Sequence, residues 1–201
     1  FGDSLTWGAD PETGGRHSVS SRWTTLLQKK LGENYWVIEE GLNGRTTIWD
    51  DPIEGDKNGR KHLPILLESH RPLDLVIIML GTNDLKARFR VSAFQIAQSA
   101  GTLVEIVKRS NAGRESGPPS TILIAPPPLG QLAEWQEKFE GGVEKSQNLA
   151  RYYSYFARLN QCPFFDAGEV VKTSDIDGIH WEATANQQFA EMLAKKIKDI
   201  L

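Results

Sequence analysis

Three side chains that together can activate a hydroxyl stand near the two ends of the chain. Ser4 lies in Phe1-Gly2-Asp3-Ser4-Leu5-Thr6-Trp7-Gly8, and Asp177 and His180 lie in Asp177-Gly178-Ile179-His180. A serine hydroxyl is a poor nucleophile until a base removes its proton. An imidazole can act as that base when a carboxylate fixes its tautomer and stabilises the imidazolium. Placing acid and base three residues apart on one short loop achieves this orientation locally. Taken alone, a serine following Asp at a turn also reads as an ordinary helix cap. The Asp177/His180 pair is what favours the chemical reading.

Attack on an ester also needs donors for the oxyanion. Asn83, in Gly81-Thr82-Asn83-Asp84, can donate from its side chain, and Gly44, in Leu42-Asn43-Gly44-Arg45, from its backbone N–H without a Cβ in the way. Each has a plainer reading, an Asx turn for Asn83 and a tight turn for Gly44. The G-x-S-x-G elbow would need glycine where Thr6 stands. His17, His62 and His70 sit in unrelated contexts that suit surface or capping roles. No G-x-G-x-x-G or P-loop pattern supports nucleotide binding.

These residues need a scaffold, and the chain alternates strand-like and helix-like segments. Asp74 introduces the apolar run Leu75-Val76-Ile77-Ile78-Met79-Leu80, which reads as a central parallel strand covered on both faces. Thr121-Ile122-Leu123-Ile124-Ala125, stopped by three prolines, and Phe164-Phe165 read as further strands. Tyr35-Trp36-Val37-Ile38 reads as a short buried strand running into Glu39-Glu40-Gly41. Helices are predicted from a Ser20 or Ser21 cap to Gly32, over 61–70, over 92–109 with Phe94 on the buried face, over 143–160 and over 182–201. The pattern implies an α/β fold of three layers, with ligands at the carboxyl ends of the strands. Ser4, Gly44, Asn83, Asp177 and His180 all fall there.

Composition is that of an ordinary globular chain: 201 residues, 39% apolar, 24% charged, net charge −3. One domain spanning 1–201 is expected. The charge gives no reason to expect nucleic acid, and no apolar run approaches the ~18 residues of a membrane span. The single cysteine, Cys162, excludes an internal disulfide, reads as a buried strand residue and is compatible with a reducing cytoplasm. Only Phe1 precedes Gly2 where a buried first strand needs about four to eight residues. The native first strand is therefore expected to extend upstream.

Gly2-Asp3-Ser4, Gly44, Gly81-x-Asn83-Asp84 and Asp177-x-x-His180 resemble, in order and spacing, the four blocks of the SGNH (GDSL) hydrolase family. Glu39-Glu40-Gly41-Leu42, Arg45-Thr46-Thr47 and Ile77-Ile78-Met79-Leu80 extend the resemblance to its bacterial arylesterase/acyltransferase (perhydrolase) branch, close to carbohydrate acetylesterases. The resemblance implies a flavodoxin-like sheet of five parallel strands, no metal and no cofactor. It implies Ser4 as nucleophile, His180 as base, Asp177 as its orienter, and the Ser4 N–H, Gly44 N–H and Asn83 side chain as oxyanion hole. Trp7, Asn43, Thr82 and Ile179 are assigned to substrate contact.

Serine and alanine stand in the perhydrolase where this chain has Asn43 and Gly44. Hydrolysis of small acyl esters is accordingly expected ahead of acyl transfer to alcohols or peroxide. A non-catalytic binding module on the same fold is the remote alternative, opposed by the presence of Ser4, Asn83 and His180 together.

Loops 9–20 and 45–59 and the Trp135 region are expected to converge over Ser4, with Trp7 behind it. Trp49, Ile53, Leu129, Leu132 and Trp135 in loop contexts, and the length of loop 45–59, suggest surface apolar groups ordered by neighbouring subunits of an even, closed homo-oligomer.

Overall fold

The computed structural model describes residues 1–201. Three parallel strands, β1 (Leu75–Met79), β2 (Ser120–Ala125) and β3 (Phe164–Asp166), pair in that order, with Ile78 opposite Leu123 and Leu123 opposite Phe164. Two further positions extend the sheet by single bridges, Gly2 beside Met79 and Gly41 beside Gly2, both parallel. The spatial order is thus Gly41, Gly2, β1, β2, β3. The five-strand expectation holds as five strand positions, of which only three are regular strands.

The helices are α1 (Ser4–Trp7), α2 (Trp23–Leu31), α3 (Gly59–His70), α4 (Ala93–Lys108), α5 (Gly142–Ser146), α6 (Leu149–Leu159) and α7 (Ala183–Lys198). None is long and apolar enough to cross a membrane. Alternate side chains of the strands feed two cores, as period-2 geometry requires. Val76, Ile78, Leu123 and Ala125 pack with α3, α4 and α6, including Leu67, Ile96, Leu103 and Tyr153. Met79, Ile122 and Ile124 pack with α2 and α7, including Trp23, Leu27, Phe189 and Leu193. Both faces being covered, the strand side chains can be apolar throughout, as the sequence showed.

Several expectations require correction. Residues 35–38 form no strand, and Trp36 is 87% exposed. The Gln28 side chain occupies this backbone instead, donating from Nε2 to the Tyr35 carbonyl and accepting from the Val37 N–H, each at 2.7 Å. The helix predicted over 143–160 breaks at Gln147-Asn148. Here Ser146 Oγ donates to the Val143 carbonyl and accepts from Leu129 N–H, and Asn148 Nδ2 donates to the Glu144 carbonyl.

α2 is not capped by a serine; the Trp23 N–H donates to Asn186 Oδ1 of α7. Phe94 lies on the flank of α4, 42% exposed, edge-on to Tyr152 and Phe156. Cys162 is half-buried and precedes β3. Leu129 and Leu132, expected at the surface, are core residues, whereas Ile53 is 73% exposed. Loop 45–59 is held from within the chain: Thr46 pairs with Lys57, and Asp51 Oδ1 accepts from the Ile53 and Glu54 N–H groups.

One contact fixes α1, which Ser4 opens, to the sheet edge. A Cβ built on Gly41 would stand 2.1 Å from Trp7 N and 2.5 Å from Trp7 Cα, so the backbone of α1 lies directly on this glycine. Gly41→Ala should therefore destabilise the fold by about 1–3 kcal/mol and lower activity by displacing α1. Urea denaturation with a parallel activity assay tests this; an unchanged midpoint would mean that the edge can move away from α1 freely.

Candidate active site

Ser4 opens α1 immediately after the Gly2 bridge. Asp3 caps this one-turn helix: its Oδ1 accepts from Leu5 N–H at 3.0 Å, and Gly8, at φ 87°, closes the turn by donating to the Ser4 carbonyl at 2.9 Å. A helix this short has little stability of its own. The cap, the αL glycine and the contact with Gly41 hold it.

The loop before α7 carries the other two groups. Gly178, at φ 72°, turns the chain so that Asp177 Oδ1 accepts from the Ile179 and His180 N–H groups at 2.8 and 2.9 Å. Asp177 Oδ2 meets His180 Nδ1 at 2.6 Å, and His180 Nε2 meets Ser4 Oγ at 2.9 Å. Burial opposes the charged form of Asp177, but the hydrogen bonds from the His180 ring and from the two backbone N–H groups outweigh it and hold the carboxyl below the usual range. An ionised Asp177 places the imidazole proton on Nδ1. Nε2 is then free to accept from the Ser4 hydroxyl.

Asn83 lies in the turn after β1 and is buried; its Nδ2 donates to the Arg45 carbonyl at 3.2 Å, leaving its second amide hydrogen free. Arg45 is itself fixed, its guanidinium donating to the Gly2 and Glu40 carbonyls at 2.8 and 2.6 Å. Gly44 takes a positive φ of 79°, a conformation glycine adopts without strain. Neither its N–H nor that of Ser4 has a partner in the protein. A cavity of about 200 Å³ joins Ser4, Gly44, Asn83 and His180, walled by Trp135, Phe139 and Ile179.

The sequence profile of the GDSL-like lipase/acylhydrolase family covers residues 1–191. The chain belongs to this family. The GDSL hydrolase is thus a carboxylic ester hydrolase, and its α/β fold with a parallel sheet is the SGNH hydrolase fold. It is similar to the inhibitor-bound aryl esterase of M. smegmatis, with 44% identity and a TM-score of 0.96 over 100% of this chain and 97% of that one. It is also similar to Est24, a carbohydrate acetylesterase from Sinorhizobium meliloti, with 41% identity and a TM-score of 0.95 over the same shares. A lipase/acylhydrolase from Enterococcus faecalis, at 20% identity and a TM-score of 0.69, shares the fold. No functionally curated protein matches.

Of the substrate contacts expected in the GDSL hydrolase, Asn43 and Ile179 line the cavity. Trp7 and Thr82 do not. Trp7 turns away under the Arg16 guanidinium, 4.7 Å from its ring, and Thr82 is buried against Asp3. Gly14 and Gly15 of the first loop, Glu54 of the second and Trp135 with Phe139 of the third converge on the cavity as expected, whereas Trp49 stays out of it. His17, expected in a surface or capping role, is buried, and its Nε2 meets the Trp181 carbonyl at 2.8 Å, tying the first loop to the segment that carries His180.

Glu54, Lys86 and Lys138 also line the cavity, and none was anticipated. Lys86 alone had a local signal, following Asn83-Asp84 by two residues.

Two buried carboxyls lie beneath the site. Burial pushes Asp84 up to about 7, against the hydrogen bonds it accepts from the Thr47 hydroxyl and N–H; Asp3 adds to the rise. Burial likewise raises Asp3 to about 6. A carboxyl raised above its unfolded value stabilises the fold fully below that value, near 3.8, and loses the contribution as pH climbs through about 7. The stability advantage of the native protein over Asp84→Asn should therefore shrink between about pH 4 and about pH 8. Thermal unfolding at both pH values reads it, and an advantage that grows with pH would show instead that Asp84 is held ionised.

Proposed function

We propose that the protein is a serine esterase that cleaves small, acetyl-like acyl esters through an acyl-enzyme, with Ser4, His180 and Asp177 as its catalytic residues. The observation that carries this reading is the unbroken hydrogen-bonded chain from Asp177 to His180 to Ser4, at 2.6 and 2.9 Å, opening on a cavity beside two unpartnered N–H groups. Ser4 Oγ attacks the ester carbonyl while His180 Nε2 takes its proton. The Ser4 and Gly44 N–H groups and the Asn83 amide receive the charge that develops on the carbonyl oxygen. His180 then returns the proton to the departing alcohol. Water repeats the sequence on the acyl-enzyme, giving up a proton to His180 and releasing the acid and free Ser4.

The cavity of about 200 Å³ suits a short acyl group. The neighbours described as an aryl esterase and a carbohydrate acetylesterase support this substrate range. Acyl transfer to alcohols or peroxide is the second reading, favoured by the apolar walls Trp135, Phe139 and Ile179, which suit an organic acceptor. A cytoplasmic location is proposed on the lone cysteine.

Ser4→Ala should fold normally, abolish turnover of 4-nitrophenyl acetate and lose labelling by a fluorophosphonate. Asn83→Ala should lower kcat by about 10²–10³ with little change in KM. Labelling at another residue, near-native turnover of Ser4→Ala, or faster cleavage of octanoyl than of acetyl esters would each refute part of the reading.

We also propose a closed, even-numbered homo-oligomer. Its support is the exposure of Ile53, on the loop that carries Glu54 to the cavity. Light scattering after size exclusion should give a multiple of 22.5 kDa, and Ile53→Asp should lower it. A native mass of one chain at micromolar concentration would remove this proposal and leave the chemistry intact.

A further inference from the structure

Glu54 belongs to none of the motifs, yet its carboxylate forms the cavity wall beside Gly44. Its two oxygens are treated unequally. Oε1 accepts from Lys86 Nζ and Arg88 Nη2, each at 2.7 Å, and lies 3.0 Å from Lys138 Nζ. Oε2 makes no hydrogen bond within the protein, and a Cβ built on Gly44 would come within 2.4 Å of it. The absence of a side chain at position 44 is therefore what lets this oxygen reach the wall beside an N–H group proposed to receive the oxyanion.

The cluster behind Glu54 has a buried heart, Lys86 and Asp51, and a partly exposed rim, Arg88 and Lys138. Lys86 is 2% exposed at its side chain, and the Asp51 carboxylate, fully buried, binds Arg88 at 2.5 Å and lies 3.9 Å from Lys86. Burial opposes ionisation of Glu54, but hydrogen bonds from Lys86, Lys138 and Arg88 outweigh it and hold its pKa at about 2. Glu54 is thus an acceptor and never a donor under working conditions. A lone carboxylate at this place would repel a developing oxyanion. Here three cations stand against two carboxylates, so the charge is more than offset and the acceptor geometry remains.

An unpaired, ionised acceptor in a wall shared with Trp135, Phe139 and Ile179 discriminates among esters. A plain aryl or alkyl ester brings no donor to Oε2, and displaces the water that would otherwise satisfy it. A hydroxyl on the substrate restores the bond in charge-assisted form. Since an acetyl-like acyl group carries no hydroxyl, the donor must sit on the alcohol portion. We propose that Glu54 is a specificity-determining residue that selects esters of polyhydroxylated alcohols by accepting a hydrogen bond from a free hydroxyl at Oε2. This rests on the esterase reading above and adds the alcohol class to it.

The test compares kcat/KM for a monoacetylated methyl xyloside with that for cyclohexyl acetate, a ring of similar size with no hydroxyl. Glu54→Met removes the acceptor at nearly constant length. Glu54→Gln keeps a neutral polar group facing the three cations and guards against a folding failure of the first variant. For Glu54→Met the xyloside acetate should lose ~10-fold or more relative to cyclohexyl acetate, the scale of a hydrogen bond to a charged group. Glu54→Gln should show a smaller loss in the same direction.

The preference should appear in kcat/KM, which covers only steps up to acylation while the alcohol is still bound. Equal losses on both substrates in either variant, or no measurable cleavage of the xyloside acetate by the native enzyme, would overturn the proposal. The native rate on 4-nitrophenyl acetate reports separately on the esterase reading, so the two can fail independently.

Discussion

The hydrogen bond between His180 Nε2 and Ser4 Oγ joins residues 176 apart in the chain, and the rest of the fold is arranged so that it can form. A geometry of this kind fails if either partner moves by about an ångström. Neither partner sits on a long, self-sufficient element. Ser4 rides on a single helical turn, and His180 on an irregular loop. Their positions come from what those pieces touch: the Gly41 backbone under α1, the Asp3 cap, and the two N–H bonds by which Asp177 shapes its own loop. His17 adds a direct tie between the two halves through the Trp181 carbonyl.

Burial of polar groups recurs at this end of the sheet, and several of them hold backbone turns. Asp84 accepts from Thr47, which fixes the start of the second loop against the turn after β1. Arg45 spends its guanidinium on the Gly2 and Glu40 carbonyls and offers its own carbonyl to Asn83. Tyr153 donates to the Leu80 carbonyl at 2.6 Å from the opposite layer. Unpaired, such groups would cost several kcal/mol each. Paired, they make the carboxyl edge of the sheet rigid where the chemistry needs fixed donors. The same economy explains why so many loop backbone groups here bond to side chains and not to a neighbouring strand.

The charged wall of the cavity follows a different logic. Lys86, Arg88, Lys138, Asp51 and Glu54 come from three separate segments; Lys86 and Asp51 are buried and Arg88, Glu54 and Lys138 partly exposed, and the two inner ions are paired to the outer ones. Such a cluster contributes little net stability, but it holds one carboxylate oxygen in place with small freedom to move. Rigidity of the wall, and not attraction as such, is what a small cavity gains from it.

The sequence alone determined the elements whose cause is local. The double-faced apolar runs of β1 and β2, the start of α4 at Ser92, and the Asp177-x-x-His180 spacing all act over a few residues, and each was legible. So was the meeting of Ser4, Gly44 and Asn83 at one cavity, because each follows a position paired into the sheet at the same edge. The tertiary structure decided whatever depended on a partner distant in the chain. Residues 35–38 had strand-like composition, but the Gln28 amide took their backbone groups. Trp7, the last residue of the turn that Ser4 opens, was drawn under Arg16, away from the cavity. Glu54, Lys86 and Lys138 share no spacing and no motif. They meet because the buried Lys86 must find an opposite charge in space, and only the packed fold determines which one is within reach.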